Sequence, residues 1–234
     1  MKQNKRDIAE RFARLPADKQ QGFLKALKAQ GLDFSMFPIV PLPLTEGAEA
    51  QAGIVASYAQ DRQWFLWRFD PSSTAHHISG ALLLEGTLDI GALRDAFGAL
   101  VVRHAALRTV FKAGPGGLAR QVVLPQVTLD IPLIELDGTA GDIERLASEA
   151  ALRVTQHPFD LMTGPLLRVA VIRLDAQRHV LALVMHHIVS DGWSMQVLVG
   201  EFARLYAAHL GGKPVELPAL PIQYSDYAAW QRNW

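Results

Sequence analysis

Cysteine is missing from the sequence, and so is an excess of charge of either sign. Without a thiol the chain has no disulfide framework, no thiolate nucleophile and no Cys-ligated zinc or iron–sulfur cluster. The 23 Lys and Arg side chains equal the 23 Asp and Glu side chains in number, which gives a formal net charge of zero. A balanced chain offers no field of one sign to attract nucleic acid or an anionic membrane surface.

Long apolar runs are also missing. The longest, Val180–Met185, is far shorter than the roughly 20 residues of a membrane-spanning helix. The first residues, MKQNKRDIAERF, lack the apolar segment of a secretory signal. The chain has 234 residues, half of them apolar and a fifth charged, enough for one large domain or two small ones. We therefore expect a globular, cytoplasmic protein that binds neither nucleic acid nor membrane.

The first 45 residues differ in pattern from the rest. Ile8, Phe12 and Leu15 follow helical spacing, and a second apolar stripe ends before Gly31. A proline-rich stretch, Phe37–Pro43, and Gly- and Ala-rich residues 47–53 come next. This pattern predicts a helical appendage over residues 1–45, joined by a connector to a globular body over residues 54–234.

Strand and helix patterns alternate within the body. The strand of residues 179–186 is apolar on both faces, which places it inside a covered sheet. The sequence therefore predicts an α/β (α+β layered) domain in which helices cover a sheet. The predicted strands are Ala81–Leu84, Leu166–Leu174 and His179–His186, with a hairpin around Gly114–Gly117; the predicted helices follow Asp89 as N-cap and cover Asp142–Thr155, Ser194–Leu210 and a segment from Tyr224.

The residues with the clearest chemical content follow the buried strand. His186 and His187 are adjacent, so their side chains leave a strand on opposite faces and cannot converge on one metal ion. We expect one imidazole to be buried and structural and the other to face a cavity. Asp191 and Gly192 suit a tight turn, whose carboxylate either folds back to hold the loop or pairs with a buried arginine. The other histidines are expected to be packing or surface residues: His76, His77, His104, His157, His179 and His209.

The full string HHxxxDG, from His186 to Gly192, resembles the active-site motif of chloramphenicol acetyltransferase-like acyltransferases, a superfamily that includes the condensation domains of nonribosomal peptide synthetases. Three further strings resemble condensation-domain motifs and occur in family order. Ala105 stands where the second of these motifs usually has Glu. The strings are SYAQDRQWFL at residues 57–66, RHAALRTVF at residues 103–111 and YSDYAAW at residues 224–230.

This resemblance implies a function. Condensation domains form a peptide bond between groups held as thioesters on the phosphopantetheine arms of an upstream donor and a downstream acceptor peptidyl carrier protein, with no metal and no tightly bound cofactor. It implies that His187 is the catalytic residue, as a base or as a group that orients the amine. It further implies support from His186, a pairing of Arg62 with Asp191, and Gly192 as a candidate oxyanion donor. Trp193 favours condensation over epimerisation.

The resemblance also indicates how much of a condensation domain the chain covers. The chain looks like the N-terminal lobe of a two-lobed domain, without the motifs of the C-terminal lobe, so we expect it to condense poorly alone. Residues 57–78 resemble domains that accept a D-configured donor. Residues 1–30 are then either a docking element for an upstream synthetase or a linker. Three alternatives stay open: a stand-alone CoA-dependent acyltransferase, an epimerisation-type domain, and a non-catalytic lobe that recruits another enzyme.

Overall fold

The computed structural model describes residues 2–43, 52–139, 141–212 and 217–233. Both helices and strands occur along its length. The helices are α1 (Lys2–Ala13), α2 (Ala17–Ala29), α3 (Tyr58–Phe69), α4 (Ile90–Arg103), α5 (Ile143–Thr155), α6 (Gly192–Leu210) and α7 (Tyr224–Gln231). The strands are β1 (Ile54–Val55), β2 (His77–Glu85), β3 (Thr109–Ala113), β4 (Ala119–Val123), β5 (Leu133–Glu135), β6 (Leu167–Arg173) and β7 (Arg178–His186).

The chain divides into two compact units. The first comprises residues 1–62, 111–123 and 218–234, and the second comprises residues 63–110 and 124–217. The sequence instead predicts a division between residues 1–45 and 54–234, and that boundary stays a prediction; most of the connector predicted at residues 47–53 lies outside the described residues. In this described part of the chain, no helix has the length and hydropathy that crossing a membrane requires.

In the first unit, an aromatic cluster holds the N-terminal segment together. The Phe12 ring lies 5.4 Å from that of Phe23 and 4.4 Å from that of Phe34. Two hydrogen bonds then attach the extended stretch that follows to helix α7. The Trp230 indole donates to the Phe37 carbonyl, and the Leu42 N–H donates to the Asp226 carboxylate. The stretch that follows the N-terminal helices is therefore attached to the end of the described chain within this unit.

In the second unit, a four-stranded sheet has the strand order β2-β7-β6-β5. Strand β7 pairs antiparallel with β2 and β6, and β5 pairs parallel with β6. Helices α4 and α6 cover one face of the sheet, where Phe97 and Phe202 pack against Leu181 and Leu183. Helix α5 covers the other face through Ala147 and Ala150 against Ile172 and Ala182. This arrangement confirms the predicted sheet covered by helices.

Two element boundaries differ from the sequence-based expectation. Strand β2 begins at His77 instead of Ala81 because its residues alternate between half-buried and exposed positions, so its polar residues hide it from a search for apolar runs. Helix α6 begins at Gly192 instead of Ser194, because the side chain of Asp191 already caps the first turn. The Asp89 cap is confirmed, since its carboxylate accepts the Ala92 N–H at 2.9 Å.

Candidate active site

The two histidines of the HHxxxDG string have opposite surroundings. His186 is the last residue of the buried strand β7, and 2% of its surface is exposed. His187, the next residue, is exposed. The loop between them and helix α6 is anchored by Ile188, which is buried. Alternation along the strand therefore directs one imidazole into the protein and the other outward.

The ring of His187 is held by its own loop. Its Nδ1 lies 2.7 Å from the Ser190 carbonyl oxygen. A carbonyl oxygen only accepts hydrogen bonds, so Nδ1 carries the hydrogen and, in the neutral ring, Nε2 carries a free lone pair. The His187 backbone N–H donates to the His76 carbonyl at 2.8 Å, which fixes the backbone at the same point. The exposed imidazole is thus prepared as a hydrogen-bond acceptor.

Burial keeps His186 neutral. Removal from water, followed by the nearby imidazoles of His77, His76 and His187, lowers the pKa of His186 from its ordinary value to about 3. The bare Nδ1 of its ring accepts the Ile188 N–H at 3.1 Å, and its carbonyl accepts the Ser190 hydroxyl at 3.2 Å. His186 therefore shapes the loop from inside, while His187 projects from it.

Asp191 closes the loop by capping helix α6. Its Oδ1 accepts the Ser194 N–H at 2.8 Å and the Ser194 hydroxyl at 2.6 Å. These hydrogen bonds, led by that of the hydroxyl, lower the pKa of Asp191 below its ordinary value. Of the two arrangements left open by the sequence, the structure contains the fold-back onto the loop's own helix.

The remaining supporting residues of the motif are Gly192, Trp193 and Arg62. Gly192 is the first residue of helix α6, where backbone N–H groups have no partner inside the helix. Trp193 follows it with 74% of its surface exposed. Arg62 is an exposed residue of the first unit. Its pairing with Asp191, the oxyanion role of Gly192 and the absence of a metal stay predictions.

Sequence reasoning missed two sets of contacts made by the motif residues. His76 and His77, expected to be ordinary packing or surface residues, lie at the start of β2, directly across from the histidine motif. Glu201 of α6 accepts from Arg103 Nε at 3.1 Å and lies 2.6 Å from His104 Nε2. The RHAALRTVF string thus has a carboxylate neighbour supplied by helix α6, although Ala105 replaces its usual Glu. These contacts depend on the register of β2 on β7 and on the packing of α4 against α6, and neither can be read from the sequence pattern.

The first and fourth strings meet inside the first unit. The Ser57 hydroxyl lies 3.1 Å from the Tyr224 hydroxyl, and the Tyr58 N–H donates to the Gln231 side chain at 3.1 Å. The Asp61 carboxylate forms an ion pair with Arg232. Asp61, to which the sequence pattern assigned no role, therefore has its own arginine partner. These strings hold the first unit together.

Comparison with known proteins identifies the family. The family model described as "Condensation domain" matches residues 50–234. The chain belongs to the condensation-domain family, and its fold is that of the chloramphenicol acetyltransferase-like superfamily. Four strings in family order, a covered sheet and an exposed histidine after its central strand are the features of this chain that agree with the assignment.

Curated relatives are much longer than this chain. The chondramide synthase cmdD of Chondromyces crocatus is 42% identical over 182 residues, which cover 76% of this chain and 4% of that protein. The phosphinothricin tripeptide synthetase PhsC of Streptomyces viridochromogenes is 39% identical over 235 residues, which cover 97% of this chain and 20% of that protein. The chain therefore spans a small part of each synthetase that it matches.

Solved structures share the fold. The X-domain in its complex with OxyB from teicoplanin biosynthesis superposes with a TM-score of 0.68 at 28% identity, covering 81% of this chain and 39% of that one. The first condensation domain of the calcium-dependent antibiotic synthetase, in complex with a substrate analogue, gives a TM-score of 0.65 at 26% identity over 71% of this chain and 40% of that one. This chain thus corresponds to about two-fifths of each solved chain.

Proposed function

We propose that this chain takes part in peptide-bond formation between acyl groups held as thioesters on carrier proteins. The observation that carries the proposal is the exposed His187, whose ring Nδ1–H donates to the Ser190 carbonyl and so leaves Nε2 as a hydrogen-bond acceptor in the neutral ring. The HHxxxDG string that supplies this ring belongs to the condensation-domain family. The substrates arrive on phosphopantetheine arms of an upstream donor and a downstream acceptor carrier, and no tightly bound cofactor is needed.

The reaction step balances without a further reagent. The acceptor's neutral amine attacks the carbonyl carbon of the donor thioester, a C–N bond forms and the C–S bond breaks. The amine proton passes through Nε2 of His187 to the departing donor thiolate. General acid–base help of this kind contributes about 100- to 10,000-fold to a rate, and holding both arms end to end removes much of the entropic cost.

The start of helix α6 is the proposed site for the developing oxyanion. The Gly192 N–H lies in the first turn, at the positive end of the helix dipole. The Ser194 N–H of the same turn already donates to the Asp191 carboxylate. We therefore assign the role of oxyanion donor to the Gly192 N–H.

The proposed site is half of a channel. We propose that this chain is the N-terminal lobe and that a C-terminal lobe completes the channel. The chain alone then holds the arms poorly and condenses slowly. Its resemblance over residues 57–78 further supports a D-configured donor.

The test uses two carriers loaded through phosphopantetheine with different aminoacyl groups. The chain is assayed alone and also as a fusion to the segment of the phosphinothricin tripeptide synthetase PhsC that follows the matched residues, which we call the completed protein. The mass of the acceptor carrier is followed in both assays. We expect amide product from the completed protein, a 100- to 10,000-fold loss of rate in His187→Ala, and faster reaction with the D-donor. His209→Ala, an exposed position on the same helix, is the matched control.

Three outcomes would contradict the proposal. An unchanged rate of product formation in His187→Ala would show that the imidazole takes no part in the reaction. Equal rates with D- and L-configured donors would contradict the assignment of a D-configured donor. Product formed from acetyl coenzyme A instead of the donor carrier identifies a stand-alone acyltransferase.

A second candidate function is recruitment of another protein. It is favoured by the structural similarity to an X-domain solved in complex with OxyB. A recruiting lobe binds its partner equally well with and without the His187 imidazole. No product from the unsubstituted completed protein, together with unchanged partner binding in His187→Ala, identifies this function.

A further inference from the structure

The start of strand β2 places a second histidine pair against the first. The His76 carbonyl accepts the His187 backbone N–H at 2.8 Å. His77 lies directly opposite His186 in the antiparallel pairing of β2 with β7. Residues directly opposite in such a pair project from the same face of the sheet. The side chain of His77 is therefore a neighbour of the inward imidazole of the motif.

The hydrogen bonds of His77 define which of its ring nitrogens carries the hydrogen. Its Nδ1 lies 2.8 Å from the Thr155 carbonyl oxygen, so Nδ1 is the donor. In the neutral ring, Nε2 is then a bare acceptor. This Nε2 is buried, and among the residues that the structure describes it has no hydrogen-bond partner. A buried acceptor of this kind requires a donor.

His186 has the complementary arrangement. Its Nδ1 accepts the Ile188 N–H at 3.1 Å, so in the neutral ring the hydrogen is on Nε2. The ring centroids of His77 and His186 are 6.1 Å apart, and the Phe159 ring lies 4.9 Å from that of His77. Burial lowers the pKa of both imidazoles, and in each neutral ring the hydrogen bond to the backbone selects one tautomer. A ring with a bare Nε2 thus neighbours a ring whose Nε2 carries a hydrogen.

We propose that His77 is a positioning residue of the site: it accepts the hydrogen of His186 Nε2 through one bridging water, and so holds His186 in the tautomer that receives the Ile188 N–H. That hydrogen bond shapes the turn that presents His187. His77 acts through His186 and does not touch substrate. The consequence for catalysis depends on the proposed function, whereas the consequence for the tautomers does not.

Two substitutions separate this role from simple packing. In His77→Asn the amide nitrogen takes the place of Nδ1, so the bond to the Thr155 carbonyl is kept and the acceptor facing His186 is lost. In His77→Gln the longer side chain places its amide oxygen near the former Nε2, so the acceptor is kept. A role in packing alone predicts the same result from both variants. A positioning role predicts that His77→Asn loses the single tautomer of His186 and that His77→Gln keeps it.

The measurement is NMR of the chain labelled with 15N at histidine, which distinguishes bare from hydrogen-bearing ring nitrogens. In the unsubstituted chain we expect a single tautomer for each ring, with hydrogen on Nε2 of His186 and on Nδ1 of His187. His77→Gln keeps this pattern, whereas His77→Asn gives mixed tautomers at both rings. His209→Gln, at an exposed position of α6, is the control and leaves both signals unchanged.

Two results would overturn the inference. One is an unchanged His186 tautomer in His77→Asn. The other is the same disturbance in both His77 variants together with an equal fall in Tm, which would make His77 a packing residue only. Because no carrier is involved, this readout is independent of the condensation assay. In that assay, His77→Asn should lower kcat by up to about 100-fold with KM unchanged, as expected of a displaced catalytic group.

Discussion

At the scale of single residues, two adjacent side chains have different surroundings because successive side chains of a strand point in opposite directions. His186 is buried, neutral and bonded to the backbone of its own loop. His187 is exposed, and its tautomer is set by the Ser190 carbonyl. His186 thus helps to set the conformation of the loop, and the side chain of His187 is accessible to a substrate.

The buried imidazole makes stability depend on pH. The pKa of His186 is lowered to about 3 in the folded protein, so between that pH and its ordinary value the unfolded chain binds more protons. The free energy of unfolding therefore falls as pH falls through this window, by about 1 kcal/mol per pH unit. We expect His186→Asn, whose amide oxygen can still accept the Ile188 N–H, to show a smaller slope.

Urea unfolding at several pH values between about 7 and 5 measures this slope. His77, whose pKa is also lowered chiefly by burial, adds to it with the same sign. His209→Gln should keep the original slope, since that position is exposed. Identical slopes in His186→Asn and the unsubstituted chain would show that His186 is not the titrating group.

At the scale of elements, the site lies where strand β7 ends and helix α6 begins. The helix is held on the sheet by Leu198, Phe202 and Leu205, so the position of its first turn is fixed by the core. Asp191 then decides where that turn starts. The loop between the two elements is short, and both of its ends are anchored.

The cap of α6 gives a prediction with two matched variants. Asp191→Ala removes the acceptor of the Ser194 N–H and should cost about 1 kcal/mol of unfolding free energy. Asp191→Asn keeps an oxygen acceptor and should cost only a few tenths of that. Chemical denaturation at neutral pH measures both, and equal losses would contradict the capping role.

The same cap has a pH signature of its own. The pKa of Asp191 is lowered in the folded protein, so its contribution is complete above the ordinary Asp value and is lost as pH falls through the lowered pKa. In Asp191→Asn this acid-side loss should disappear.

Much of this element-scale picture was predictable from the sequence. The apolar residues of β7 and the Asp-Gly pair after His187 correctly predicted a buried strand followed by a turn into a helix. The start of β2 was not predictable, because His77 and Ser79 break its apolar run. Consequently the position of His77 opposite His186 was missed, since a strand register is set by tertiary pairing that spacing along one segment does not contain.

At the scale of the whole molecule, the sequence patterns identified the family and the covered sheet. They did not identify the partners of the motif residues in the first unit, because Asp61 and Arg232 are far apart in the chain. Nor did they indicate that Phe12 and Phe34 pack together near helix α7. The division at residues 45 and 54 and the docking role of residues 1–30 stay predictions.

The docking role can be tested without disturbing the aromatic cluster. Arg11, Lys25 and Lys28 lie at the surface of α1 and α2, so changing them to Glu should leave the fold intact. If residues 1–30 bind an upstream synthetase, acyl transfer from that protein should fall in the triple variant and become less sensitive to salt. Reversal of the exposed Lys112 is the control. Unchanged transfer would identify the segment as a linker.

The central claim is that the Nε2 lone pair of His187 serves amide formation between two carrier-bound thioesters. The most direct measurement is the mass of the acceptor carrier over time, with the completed protein and both carriers loaded. We expect that the acceptor gains the donor's acyl group, and that His187→Ala slows this gain at least about 100-fold while His209→Ala does not. The same rate of gain with and without the His187 imidazole would contradict it.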